Sequence, residues 1–299
     1  FVLQELAEPK DLAEGRGIQI VVEAIEEPLA DHGIVRLALV HTHRDDPVAA
    51  DLWPEPGLVG RVVLYGQVDL LVHSGPLQGF FETTSDGAWQ TFKPYEVFPS
   101  FDLQDANVRL VDLTGDGRSD ALMTQAEYFL WFECLGEKGF APPQSIPRTH
   151  DLDEFPDVFF DDPAGRVRLA DMTGDGLNDI VLVHNGSIEY WPNLGYGRFG
   201  PRIIMEHAPH LDVNFDPKRL FLADLNGTGC ADLVYVDFGR VHFWFNQSGN
   251  RWSEQQTILG TPTVTDVDSL QFADVFGTGT ATLLWSYDFA RQPEGHYKA

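Results

Sequence analysis

The feature that most restricts what this chain can fold into is an internal repeat. Three segments share one ungapped frame of 29 residues, 112–140, 171–199 and 224–252. Each opens with an Asp-Gly-rich loop, such as "DLTGDGRSD" from Asp112 and "DMTGDGLND" from Asp171, and each has a second aspartate eight residues after the first. Aromatic residues recur at plus 20 and plus 28 of the frame. A fixed period of this size predicts stacked units that share a continuous core.

Two weaker copies of the frame lie on either side of these three. "DVFGTGTAT", from Asp274, keeps the turn glycines Gly277 and Gly279 but loses the later acids. Upstream, the frame placed on Arg61 finds Asp69 at plus 8 but has no acidic loop. The five starts, 61, 112, 171, 224 and 274, therefore lie 50 to 59 residues apart.

Each repeat reads as a set of short strands. Runs of β-branched and aromatic residues, such as "VRLVDL", "DIVLVHN" and "SIEYWPN", are bounded by Gly, Asn and Asp, which is a strand pattern. Four strands in a repeat of about 40 to 60 residues are typical of a propeller blade. The predicted fold is therefore all-β, a β-propeller of five or six four-stranded blades.

The two ends of the chain bear on how the predicted ring closes. The last repeat stops after its second strand, "TLLWSY", and an open edge strand invites aggregation. Strand candidates within 17–50 are predicted either to complete that last blade or to form an irregular N-terminal blade. The predicted organisation is a linker or partial element at 1–16, the propeller at 17–290 and an exit segment at 291–299. The chain starts at Phe1 without Met, so we interpret it as a piece of a longer protein.

The charge balance limits the partners. Asp and Glu number 46 against 20 Lys and Arg, a formal net charge of -26. Nucleic acids and anionic membranes repel such a chain, so we expect neither nucleic-acid binding nor direct membrane insertion. The two cysteines, Cys134 and Cys230, do not make a disulfide framework. The acidity suits a soluble protein that meets cations or a basic surface.

The Asp-Gly loops carry the residue types of a hard-cation site. Loop one, loop two and loop three denote residues 112–120, 171–179 and 224–232. Glycines let the backbone turn sharply so that oxygen atoms at alternate positions converge, which suits Ca²⁺. The candidate ligands are Asp112, Thr114, Asp116, the Arg118 carbonyl and Asp120 in loop one; Asp171, Thr173, Asp175, the Leu177 carbonyl and Asp179 in loop two; and Asp224, Asn226, Thr228 and Asp232 in the weaker loop three.

A turn without metal accounts for the same residues. Asp and Asn side chains bond nearby backbone N–H groups, and glycine supplies positive φ, so the ninth-position Asp would pin the turn. Both interpretations give the loops a structural role. The fourth loop, from Asp274, has Phe276 and Thr282 at ligand positions and is predicted to be metal-free.

Other candidate sites are weaker. His41 and His43 share one face of a strand, as zinc ligands do, but the Ser-x-x-Asp of a deubiquitinase-type site is missing, and surface histidines at a strand end are the alternative. "GYGRFG" runs into Pro201 and a strand instead of a helix, so it is predicted to be a hairpin. The aromatic row at plus 20 would bind sugars or pack between blades; it consists of Phe81, Phe132, Trp191 and Trp244. No catalytic motif is found, so we expect no enzymatic activity.

Whole phrases of the chain resemble known families. The loops are similar to FG-GAP (VCBS-type) propeller repeats, with Thr114 and Thr173 in place of the usual acidic third ligand. "NVRLVDLTGDGRSDALMT", "VRLADMTGDGLNDIVLVHNGSIEYWPNLGYGRFG" and "VHFWFNQSGNRWS" resemble the middle region of the SpvB/TcdB family. These are the B components of bacterial Tc insecticidal toxins. The resemblance covers about residues 80–290, and residues 1–60 match less clearly.

The resemblance implies a non-catalytic role. In that family the B component joins a C component in a hollow shell around a toxic polypeptide. Its propeller docks on the pore-forming A component and gates passage of the payload. The implied setting is a secreted, extracellular toxin complex. The alternatives are a secreted or surface adhesin or lectin-like propeller, stabilised by calcium, and an enzyme using the cluster at His41 to Asp46.

Overall fold

The strands of the chain are short and numerous. The computed structural model describes residues 2–5, 20–29, 33–42, 61–64, 67–74, 77–82, 90–99, 101–103, 105–212, 214–265, 267, 270–274 and 278–288, with side chains only within 78–285. In chain order the strands are β1 (Val2–Glu5), β2 (Ile20–Leu29), β3 (Gly33–Thr42), β4 (Arg61–Leu64), β5 (Gln67–Ser74), β6 (Leu77–Phe81), β7 (Lys93–Pro94), β8 (Val108–Val111), β9 (Asp120–Thr124), β10 (Tyr128–Phe132), β11 (Gln144–Pro147), β12 (Val167–Ala170), β13 (Asp179–His184), β14 (Ser187–Trp191), β15 (Ile203–Ile204), β16 (Leu220–Ala223), β17 (Asp232–Asp237), β18 (Arg240–Trp244), β19 (Asn246–Gln247), β20 (Arg251–Trp252), β21 (Gln256–Leu259), β22 (Leu270–Ala273) and β23 (Thr282–Asp288).

These strands form blade-like sheets, which confirms the predicted all-β, propeller-like fold. Four sheets have four strands each, in the orders β4-β5-β6-β7, β8-β9-β10-β11, β12-β13-β14-β15 and β16-β17-β18-β21. Every pairing within them is antiparallel, with each strand beside its neighbour in the sequence except that β21 follows β18. The short β19–β20 ribbon is interposed between those two strands in the chain. Each repeat of the sequence frame thus corresponds to one sheet.

The fifth sheet joins both ends of the chain. Its order is β1-β2-β3-β23-β22, so the two strands of the last repeat are extended by three N-terminal strands. β3 runs parallel to β23, with Leu37 opposite Leu283 and Thr42 opposite Asp288. This is the first of the two alternatives predicted for the N-terminal strands. Val2–Glu5 is an element of this sheet, while the predicted domain bounds stay a prediction.

The chain divides into two compact units. The first unit contains Phe1–Trp53, Lys218–Phe245 and Glu254–Ala299, and the second contains Pro54–Pro217 and Asn246–Ser253. Loops one and two belong to the second unit, and loop three belongs to the first. In the part of the chain that the structure describes, no helix has the length and apolarity needed to cross a membrane.

Cores lie between neighbouring sheets, as propeller blades require. In the second unit, one cluster joins Leu122 and Phe129 of the β8–β11 sheet to Ile180 and Trp191 of the β12–β15 sheet, all nearly inaccessible to solvent. The first three residues and the fifth residue of both β9 and β13 are buried, so the same repeat positions are buried in both sheets. In the first unit a comparable cluster is built around Val236, Phe243 and Leu283. The repeats therefore bury their apolar faces against one another.

Candidate functional site

The Asp-Gly loops connect the first and second strands of successive sheets. Loop one follows β8, and its ninth residue, Asp120, is the first residue of β9. Loop two follows β12 in the same way and ends at Asp179 in β13. Gly115 and Gly117 have φ of 81° and 82°, which side-chain-bearing residues rarely adopt. The sequence pattern therefore places both ends of each loop on strands and leaves the middle to a tight turn.

The first aspartate of each loop caps its own turn. In loop one, Asp112 Oδ1 accepts the Gly115 N–H at 2.7 Å and Asp112 Oδ2 accepts the Gly117 N–H at 2.8 Å. Loop two repeats this with Asp171, and loop three with Asp224. In the fourth loop, Asp274 accepts the N–H groups of Thr278 and Gly279 at 3.0 and 2.7 Å. Both carboxylate oxygens of all four aspartates therefore satisfy backbone donors that the turn would otherwise leave unpaired.

The ninth-position aspartates are buried hydrogen-bond acceptors. Asp120, Asp179 and Asp232 are 0% exposed. Asp179 Oδ2 accepts the Met172 N–H at 2.9 Å, and Asp179 Oδ1 accepts the Asn193 N–H at 2.8 Å. Asp120 is held in the same way by the N–H groups of Leu113 and Cys134, at 3.0 and 2.7 Å. Asp120 and Asp179 thus tie the second residue of their loops to the residue two positions after the third strand.

Burial also changes the acidity of these two groups. Loss of solvent raises the pKa of Asp120 to about 6 and the pKa of Asp179 to about 7, although two backbone N–H groups oppose the shift in each case. At Asp116 burial acts in the same direction, but hydrogen bonds from Arg118 outweigh it and leave the pKa below its ordinary value. Asp116 Oδ2 accepts the Arg118 Nε–H at 2.8 Å.

The remaining candidate ligands bond within their own loops. Thr114 and Thr173 donate backbone N–H groups to the first aspartate of their loop, at 3.1 and 3.2 Å. Asp175 Oδ1 accepts the Leu177 N–H at 2.9 Å, and Asn226 Oδ1 accepts the Thr228 N–H at 3.1 Å. Within the described ranges, no three carboxylate, imidazole or thiol side chains gather closely enough to hold a metal ion. The donor sets of loops one to three therefore fit self-capped turns better than an open calcium cage, and calcium binding stays a prediction.

A calcium titration tests that prediction directly. A structural ion raises the melting temperature by several degrees in millimolar CaCl₂ relative to excess EDTA, because a ligand that binds only the native state stabilises it. The Asp116→Ala, Asp175→Ala double variant would lose that shift, whereas the Asp274→Ala variant, in the loop predicted to be metal-free, would keep it. Equal melting temperatures in calcium and EDTA would contradict the calcium prediction and leave the loops as self-capped turns.

The structure adds a functional position that the sequence frame did not predict. Asn193, at plus 22, is fully buried; its Nδ2 donates to the carbonyl oxygens of Asp112 and Asn178, both at 3.3 Å, and its Oδ1 accepts the Gly195 N–H at 3.0 Å. Asn246 stands at the same frame position and donates to the Met172 carbonyl at 3.0 Å. The sequence feature that could have identified this position is an asparagine at plus 22 in two of the three repeats. These side chains fasten a hairpin to the carbonyl groups of a preceding loop.

The other candidates from the sequence either have structural roles or lie outside the residues that the structure describes. Of the aromatic row, Phe132, Trp191 and Trp244 are buried at 7%, 0% and 4% exposure, which confirms packing and removes them as a sugar platform. Half-buried Phe81 contacts Phe92 with the two rings tilted, and their centroids lie 5.4 Å apart. "GYGRFG" is a hairpin, as predicted, closed by a bridge between Asn193 and Phe199. His43 and the side chain of His41 lie outside the described residues.

These features define the class: an all-β, propeller-like protein built from repeats with Asp-Gly loops. Residues 171–235 match the family model of the FG-GAP-like repeat. No curated protein matches the chain. Among solved structures it is similar to the Photorhabdus luminescens Tc holotoxin pore, with 28% identity and a TM-score of 0.63 over 90% of this chain and 12% of that one.

Two further solved structures are less similar. The crystal structure of TcdB2-TccC3 has 24% identity and a TM-score of 0.44, over 88% of this chain and 16% of that one. An Agrocybe aegerita lectin that recognises non-reducing terminal N-acetylglucosamine has 18% identity and a TM-score of 0.49, over 90% of this chain and 75% of the lectin chain. This chain spans 12% of the holotoxin chain and 16% of the TcdB2-TccC3 chain.

Proposed function

We propose that this chain is the non-catalytic propeller module of a toxin B component of the SpvB/TcdB type. It would dock on the pore-forming A component, beside a shell-forming C component, and gate passage of the toxic payload. The observation that carries the proposal is the similarity to the Tc holotoxin across 90% of this chain at 28% identity. A secreted setting follows from that role.

The physical chemistry of the chain suits docking and gating. Hydrophobic cores lie between sheets, so loops at the ends of the strands can shift without opening a core. The net charge of -26 would steer a basic partner face or a basic unfolded payload toward this module. The loop carboxylates are engaged in turn hydrogen bonds, which supports a structural rather than a catalytic role for them.

The lectin-like alternative loses one of its two candidate binding surfaces. It would use either the aromatic row or the loops, and three of the four members of the aromatic row are buried. A sugar would need their ring faces to be open. No observation on the described residues favours that function over docking.

Hydrogen exchange on the full-length protein that contains this chain tests the docking role. We expect the full-length protein to bind the pore-forming component encoded with it, and amide exchange to slow within residues 61–274 of this chain when the complex forms. The full-length protein alone, at the same concentration, is the control. Slowed exchange confined to other segments would contradict docking through this module, as would failure of the two proteins to bind.

A further inference from the structure

The edge of the sheets that carries the Asp-Gly loops also carries the hairpins after the third strands. Strands one and three of a blade run in the same direction, so the turns that follow them lie at the same end. At plus 23 of the frame, these hairpins place exposed leucines: Leu135 is 39% exposed and Leu194 is 54% exposed. Two residues further along, Tyr196 is 65% exposed. We name Leu135, Leu194 and Tyr196 the hairpin-tip patch.

Tyr196 has a left-handed backbone conformation, which is unfavourable for a residue with a large side chain. Its φ is 54°, and it stands between Gly195 and Gly197, whose φ values are 79° and 68°. A bulky residue in the left-handed region costs about 1 to 3 kcal/mol. Because the ring stays largely in solvent, the burial of its apolar surface offsets little of that cost. Glycine or asparagine would suit the turn better, so the tyrosine side chain serves something other than stability.

The hairpin holds this side chain in a fixed position. The Tyr196 N–H donates to the Leu113 carbonyl of loop one. Across the hairpin, the Leu194 N–H donates to the Arg198 carbonyl at 2.8 Å. A Cβ added at Gly197 would lie 2.5 Å from Ile146 Cδ1, so the hairpin also packs closely on the preceding sheet. An exposed aromatic on a rigid support binds with little loss of conformational entropy.

The charges around the patch indicate the partner. Loops one and two bring four carboxylates to this edge, Asp112, Asp116, Asp171 and Asp175, and the accompanying guanidinium groups are Arg118 and Arg198. The hairpin after β10 adds Glu137 and Lys138, so five negative charges against three positive ones leave this edge acidic, in line with the whole chain. A partner surface with lysines or arginines around an apolar centre is therefore complementary.

We propose that the hairpin-tip patch is the docking surface for the pore-forming component, with Tyr196 as its main anchor. This rests on the proposed function and assigns its contact. The partner presents an apolar depression that receives Tyr196 and Leu194, rimmed by basic side chains that face loops one and two. Tyrosine at the centre and charges at the rim are the usual arrangement of a protein interface.

The test uses the full-length protein and the immobilised pore-forming component. The Tyr196→Gly variant relieves the left-handed backbone, so its melting temperature is expected to equal or exceed that of the wild type. Its affinity is expected to fall about tenfold or more, mainly through faster dissociation. Tyr196→Asn, which also tolerates this backbone, is expected to behave in the same way.

The matched control is Ile204→Ser, which removes an exposed apolar side chain from the outer strand of the same sheet, where Ile204 is 57% exposed. It is expected to bind within about twofold of the wild type, because single exposed apolar residues outside an interface contribute little. Wild-type affinity in both Tyr196 variants would overturn the proposal that this patch is the docking surface, but not the proposal that the module docks. Absence of binding by the wild-type protein itself would overturn both proposals.

Discussion

The Asp179→Ala variant is expected to lose about 3 to 5 kcal/mol of unfolding free energy, because two buried N–H groups lose their acceptor at about 1 to 3 kcal/mol each. Those groups belong to Met172 and Asn193, and Asp179 is 0% exposed, so water does not replace the carboxylate. Urea unfolding at about pH 8, above the folded-state pKa of about 7, measures the loss with the wild-type group ionised.

The loss is large because one carboxylate supports two connections. The Asn193 N–H is fixed by Asp179, and the Asn193 side chain in turn bonds the Asp112 carbonyl of loop one at 3.3 Å. Removing the carboxylate therefore disturbs both the turn of loop two and the hairpin that reaches the preceding repeat.

The control for this prediction lies in the same loop. Asp175 is exposed and accepts the Leu177 N–H, a donor that water can satisfy, so Asp175→Ala is expected to cost less than about 1 kcal/mol in EDTA. Asp179→Asn keeps the size and one acceptor oxygen but turns an amide donor toward a backbone N–H, and should lie between the two. Equal losses at Asp175 and Asp179 would show that burial of the ninth position does not control stability.

The loops were predictable because their chemistry is local. Asp112 bonds N–H groups three and five residues ahead, and the glycines at those positions supply the positive φ that the turn needs. Such short-range preferences are written in the nonapeptide itself. The repeat spacing likewise predicted the strands, since each strand of a blade pairs with its neighbour in sequence.

The partners of the ninth position were not predictable from the loop. Asp120 and Asp179 each accept an N–H from a residue 14 positions later, and only the folded sheet brings that residue to them. The residue is Cys134 in one repeat and Asn193 in the next, so the residue type at this position is not constant and identifies the partner only in part. The exposure of Tyr196 depends in the same way on a hairpin whose anchor, Leu113, belongs to another repeat.

Lowering the pH from about 8 to about 5 is expected to stabilise the protein through the two buried carboxyl groups. Burial raises the pKa of Asp120 to about 6 and that of Asp179 to about 7, whereas an unfolded aspartate titrates near 4. Between these values the folded state retains protons that the unfolded state has released. The contribution is complete below about pH 4 and is lost as the pH rises through the folded values.

Other carboxylates act with the opposite sign in a lower window. Hydrogen bonds from Arg166 lower the pKa of Asp162 to about 2, against the opposing effect of burial. Its stabilisation is present above about pH 4 and disappears as the pH falls toward 2. Unfolding free energy at about pH 5 is therefore expected to exceed its value at pH 8 by about 4 kcal/mol, and the gain is expected to level off and reverse below about pH 4.

Urea unfolding at about pH 5, 6.5 and 8 in EDTA tests this profile. The Asp120→Asn, Asp179→Asn double variant lacks the two titrating groups, so its stability should change much less between pH 5 and 8, even though it starts lower. His242, whose pKa burial lowers, opposes the trend in this range, but it is present in both proteins and cancels in the comparison. Parallel profiles for the two proteins would show that both carboxylates stay ionised in the interior. In that case the paired N–H donors at each one would outweigh desolvation, and the ninth position would remain a negative charge across the whole range.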